Sequence, residues 1–194
     1  SGCARRGPRP TRSSPAPAAT PRARRLIGAE STRSTVPSVL DLPRLALAPA
    51  DLDALGYAGY AVDWGQLTDA AGAAGLLGVD ASWSEAIAAT GLQEVYLLRN
   101  VGPTVDAGAQ TSVTTTLWKY PDASSAARGF DLIERQIEET LIAGDEPSAF
   151  AAGDESELTT WDFTDPVTGE PMTAVEVTVR ADRLVVAVRM AGPS

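Results

Sequence analysis

The hydrophobic period changes sharply near the middle of the chain, and that change limits what the chain can build. Within Thr111–Tyr120, Val113, Thr115 and Leu117 alternate with Thr114, Thr116 and Trp118. A two-residue period rich in β-branched and aromatic side chains is that of a strand with two different faces. Pro121-Asp122 interrupts it. Ala126, Phe130, Ile133, Ile137 and Leu141 then recur at steps of three and four. That spacing predicts an amphipathic helix over 122–142, stopped by Gly144. Such a stripe needs a flat apolar partner, so the helix should lie on a sheet.

Further strands are expected at Leu92–Asn100 (broken by Val101-Gly102-Pro103), Leu158–Phe163, Met172–Arg180 and Leu184–Met190. The last two alternate and are joined by a short turn at Ala181-Asp182, which predicts an antiparallel hairpin. Ser82-Trp83-Ser84-Glu85 has capping-box spacing, so a shorter helix should run over 82–90 and end at Gly91. Pro49–Gly56 suggests a helical turn. Tyr57–Trp64 fits a strand or an aromatic-lined loop, and 66–78 a helix or a loop. The expected fold class is α+β: an antiparallel sheet of five or six strands, the long helix on one face and the shorter helix beside it.

The first part of the chain cannot join that core. Residues 4–37 are Arg, Pro, Ala, Ser, Thr and Gly with few large apolar groups, too little to offset their ordering entropy. Residues 1–37 are read as a basic Pro/Ala/Arg-rich tether with a reach of about 30 Å, and 38–194 as a single acidic domain. Charge follows the same division. Residues 1–44 carry nine Arg against Glu30 and Asp41, a net +7, and the remainder carries −16. An acidic body argues against nucleic acid as a partner. The chain stops in what reads as a linker, Ala191–Ser194, so either the domain is truncated or Leu184–Met190 is its last strand.

Several chemistries lack their residues. The chain has no histidine, and its one cysteine is Cys3. Ser-His-Asp and Cys-His arrangements, the usual zinc sites and intramolecular disulfides are therefore excluded. No Gly-x-Ser-x-Gly elbow or phosphate-binding glycine loop occurs. Lys119, beside Trp118 and Tyr120, reads as a solvent-facing strand residue. Asp145, Glu146, Asp154, Glu155, Glu157, Asp162, Asp165 and Glu170 match no calcium-loop spacing and read as a solvated acidic face. No catalytic residue, metal or cofactor is expected.

Ser1-Gly2-Cys3 resembles the end of a lipobox, in which the cysteine receives a diacylglycerol group. That resemblance implies Cys3 as a lipid attachment site, with the Arg-rich tether adding attraction to anionic head groups. A second resemblance spans Thr111–Gly192. Tyr120 before a helix containing Ala126, then Gly153-Asp154-Glu155-Ser156 before the last strands, is similar to uncharacterised extracytoplasmic modules of bacterial surface lipoproteins. It implies an α+β fold and a place outside the cytoplasmic membrane, and brings no catalytic residues. Trp64, Trp118, Tyr120 and Trp161, near strand ends, are the candidate ligand-binding residues. The expectation is a membrane-tethered surface lipoprotein whose acidic domain binds a small molecule, lipid or glycan. The first alternative is an interaction or scaffold part of an envelope protein assembly, and a more distant one is a carboxylate-dependent hydrolase.

Overall fold

The computed structural model describes residues 40–77, 81–104, 110–140, 148–149, 151–165 and 168–194. The tether at 1–37, Cys3, Gly108, Leu141, Gly144, Asp145 and Glu146 lie outside the described residues.

One antiparallel sheet organises everything else. Its strands are β1 (Ala61–Thr68), β2 (Glu94–Thr104), β3 (Gln110–Lys119), β4 (Ser148–Ala149), β5 (Glu155–Thr164), β6 (Pro171–Ala181) and β7 (Leu184–Pro193). Their spatial order is β1-β2-β3-β7-β6-β5-β4. Helices α1 (Leu42–Leu45), α2 (Pro49–Ala54), α3 (Ala70–Leu77), α4 (Ala81–Ala89) and α5 (Ala123–Thr140) complete the domain. The fold is α+β, with six long strands and a two-residue seventh.

Element boundaries differ from the sequence expectation for local reasons. β2 does not stop at Asn100. It continues through Gly102-Pro103 at a register shift between Val101 and Thr104, a place where a missing N–H is tolerated. The helix near Ser82 is already running at Ala81, so Ser82 is a helical residue and not a cap. Thr68-Asp69 ends a strand and starts α3, where the Asp69 carboxylate accepts the Gly72 N–H at 2.9 Å. Ala191–Pro193, read as linker, pair in β7 with Ala174, Thr173 and Met172.

The register separates the sheet into two faces. On the first lie Val95 and Leu97 of β2, Thr116 and Trp118 of β3, Val185 and Ala187 of β7, and Thr178 and Arg180 of β6. The expected stripe of α5 meets this face. Phe130, Ile133 and Ala126 are buried with Trp118, Tyr120, Val185 and Ala187, and Trp83 and Ile87 of α4 join them. Each large apolar side chain so buried contributes about 1.5–3 kcal/mol. Asp122 starts α5 by accepting the Ser125 N–H at 2.7 Å, which holds its carboxyl below the usual carboxylate range.

On the second face, Leu40, Leu42 and Ala46 pack against Leu98, Leu117 and Leu184. Asn100, fully buried, donates from Nδ2 to the Leu47 carbonyl at 2.8 Å and so pins the chain between α1 and α2 to β2. This cover does not reach the whole face. Val175 of β6 is exposed, and Val177, Val179, Val188 and Met190 are half-buried.

Candidate functional site

A sheet of this kind has two margins, each presenting unpaired backbone N–H and C=O groups. The margin at β5 is guarded. The two-residue β4 covers Glu157 and Leu158, and β5 itself carries Glu155, Glu157 and Asp162. Short edge strands and edge charges are two common ways of preventing a foreign strand from pairing.

The margin at β1 has little of this protection. Every residue from Ala61 to Leu67 is exposed. Val62 is 53% exposed, Leu67 51% and Trp64 37%, so apolar side chains face solvent on both sides of the strand. The strand has no Lys or Pro. Its one charge, Asp63, sits where the register shifts between Val62 and Trp64, and Arg99 of β2 neutralises it at 3.2 Å. Gly65 keeps the strand thin: a Cβ there would come within 2.8 Å of the Tyr96 hydroxyl, which crosses behind it from β2.

The C-terminal end of β1 leads into an open cleft of about 460 Å³. Asp69, Ser84, Glu85, Ala88, Leu92 and Gln93 are among its lining residues. Asp69, at the start of α3, and Glu85 of α4 thus line one recess, with α3 and α4 packed together. Its size is within the usual range for a ligand site, but it lacks the enclosed apolar walls of one.

The four aromatic candidates are not brought together. Trp118 and Tyr120 are buried core residues beneath α4 and α5. Burial pushes the Tyr120 hydroxyl pKa up, against a smaller opposing effect of Thr90. Trp161 stands on β5 with the Arg189 guanidinium 5.0 Å from its ring centroid, and Arg189 in turn donates to the buried Glu176 carboxylate at 2.6 Å. Trp64 is on β1, at the opposite margin, with four strands between them. Two of these residues serve the core and one supports a cation.

The acidic set is more structured than a solvated face. Arg180 of β6 donates from Nε to Glu155 at 2.7 Å and from a terminal nitrogen to Asp154 at 3.2 Å. Those contacts hold its guanidinium above its ordinary pKa. Asp162 accepts the Thr173 hydroxyl at 2.6 Å. Glu134 of α5 meets Glu157 of β5 carboxyl to carboxyl. Burial, then the Glu157 hydrogen bond and the charges of Glu157, Asp131 and Glu155, push Glu134 up to about 8. Lys119 is likewise engaged, pairing with Glu94 at 2.5 Å. Among the described residues, no group of three or more Cys, Asp or Glu side chains is placed to hold a metal ion. No helix among them is long and apolar enough to cross a membrane.

The β1 margin and the Asp69–Glu85 cleft were not apparent from the sequence. One signal was present: Asp69 followed by an alanine-rich run is a helix start, which would have placed Gln66–Thr68 in the preceding strand. No family model matches the sequence, and no curated protein does. Among solved structures, the extracellular domain of PknH from Mycobacterium tuberculosis superposes with a TM-score of 0.42 at 13% identity, over 77% of this chain and 84% of that one. A superposition that loose transfers neither a ligand nor a role.

Proposed function

We propose that this chain is the exported part of a membrane-anchored surface protein, and that its folded domain is a non-catalytic protein-interaction module. The observation that carries the interaction reading is the uncovered apolar side chains of β1, Val62, Trp64 and Leu67, on an edge strand guarded by one register shift and one ion-paired charge, Asp63. Large apolar side chains exposed together along an edge strand are a ready surface for a partner strand. The half-covered valine face of β6 points the same way. A pocket for a small molecule, lipid or glycan has weaker support, because Trp118 and Tyr120 are spent on the core. The anchored placement rests on sequence: Ser1-Gly2-Cys3 followed by a basic segment suited to an anionic membrane surface.

Cross-linking in cells that make the full-length gene product tests the interaction reading. Covalent adducts to other polypeptides, mapping to residues of β1 or β6, are the expected result. Recovery of the uncross-linked monomer alone would sink it. The mass of the mature N-terminus tests the anchor. A diacylglyceryl increment on Cys3 is expected, and an unmodified Cys3 would remove the anchored placement.

A further inference from the structure

We infer that β1 is completed by an added strand: an extended segment of another polypeptide, apolar at alternate positions and cationic at its N-terminal end, lying antiparallel along the outer margin of β1. The inference rests on the interaction reading above and specifies the chemistry of the partner.

The backbone supplies the first part of the argument. An edge strand uses only one of its two sets of N–H and C=O groups toward its neighbour, and the other set can template a further strand. Main-chain bonds of this kind give affinity without regard to sequence. Side chains supply the register. Val62 and Leu67 stand on one face of β1 and Trp64 on the other. An occupant with apolar residues at alternate positions meets apolar surface opposite them, which is the favourable cross-strand arrangement.

Direction follows from the sheet. Every neighbouring pair in it is antiparallel. An occupant continuing that pattern brings its N-terminal end beside Thr68, next to the recess where Asp69 and Glu85 lie. A lysine or arginine near that end has a stem long enough to reach the recess, and a free α-amino group there is cationic as well.

Charge decides between occupants. A second copy of the chain would bring the same Asp69 and Glu85, on a body whose residues 45–194 carry −16. Like-charge juxtaposition opposes that pairing, whereas a cationic strand is drawn to it.

The test uses the full chain, isotope-labelled for amide chemical shifts. Its probe is a synthetic peptide as long as β1 that alternates valine with threonine and bears two lysines at its N-terminus. Shifts confined to Ala61–Thr68 and the cleft residues are expected. Moving the lysines to the C-terminal end should weaken binding about tenfold. That difference should vanish in the double variant Asp69→Asn, Glu85→Gln, in which asparagine keeps the α3 cap. Leu67→Lys places an edge lysine on an exposed position and should abolish binding, with Val62→Lys as an independent second block.

Shifts on Val175–Val179 instead of β1, or equal binding of both peptides, would overturn the inference while leaving the interaction reading intact. So would failure of both peptides to bind. A dimer of the free chain with its β1 amides protected would name a second copy as the occupant and overturn it too. The cross-linking above decides the broader reading separately.

Discussion

Gly129→Ala lowers the stability of the domain by about 2–3 kcal/mol, although the same exchange at an exposed helix position would raise it by about 1 kcal/mol. The sign is set by Tyr120. Its ring is fully buried, and a Cβ on Gly129 would overlap both the hydroxyl and the ring carbon that carries it. Neither side can yield cheaply. Tyr120 directly follows β3, with its backbone N–H donating to the Arg183 carbonyl at 2.9 Å, and Gly129 sits in α5 one residue before Phe130, which packs in the same core. The methyl group must therefore lift the helix or force the ring off its rotamer.

A double-mutant cycle in denaturant separates this clash from a simple change in helix propensity. Tyr120→Leu alone should cost a few kcal/mol through the space it leaves, of the order seen for large-to-small core changes, about 2–5 kcal/mol. Adding Gly129→Ala to it should cost nothing further. A Gly129→Ala single variant as stable as the parent would show that Tyr120 does not hold α5 at this point.

Glu134→Gln is the second large effect, and here the substitution stabilises. In the folded domain the Glu134 carboxyl is pushed up to about 8, while its ordinary value is 4.5. Between those values the folded domain holds a proton that the unfolded chain has released. Stability is therefore fully present below about pH 4.5 and is lost as the pH rises toward 8. Above that window the deprotonated carboxyl faces Glu157, Glu155 and Asp131, with Arg180 already engaged by Glu155 and Asp154. Glutamine keeps a donor toward Glu157 and removes the charge. With solvent screening allowed for at this partly exposed site, the gain should be about 1–2 kcal/mol at pH 8 and near zero at pH 4.5. Thermal unfolding of both proteins across that range gives the comparison. Parallel pH profiles would remove Glu134 as the source of the slope.

The two effects differ in how visible they were in the sequence. The stripe Ala126, Phe130, Ile133 marked α5 because period alone shows that a helix has an apolar side. The hairpin of β6 and β7 was legible from its alternation, and Val113 to Trp118 from its run of β-branched and aromatic residues, although β3 is buried on both faces. β1 was legible only in part, as a strand or a loop over Tyr57–Trp64, because a strand exposed on both sides has no alternation to decide between them. Trp118 and Tyr120 were read as ligand contacts because an aromatic near a strand end has the same spacing whether a helix covers it or not. The Glu134–Glu157 contact joins an α5 residue to a β5 residue and depends on how the helix crosses the sheet. Nothing between them along the chain encodes it. The cleft likewise needs α3, α4 and the start of β2 to converge, and its residues are spread over 69–93.

The place of β7 bears on how the domain comes into being. It is the last in sequence of the seven strands among the described residues, yet it lies between β3 and β6, with Ser112 opposite Ala191 on one side and Ala174 opposite Ala191 on the other. Before it is synthesised, β1–β3 and β5–β6 can form as separate hairpin-like pieces, each with a bare inner margin. α5 has only half of its bed, since it rests on β6 and β7 together. Until β7 is added the two pieces stay unjoined, and its ten residues close the seam between them. Contacts of such long sequence separation form slowly, so cooperative folding waits for β7.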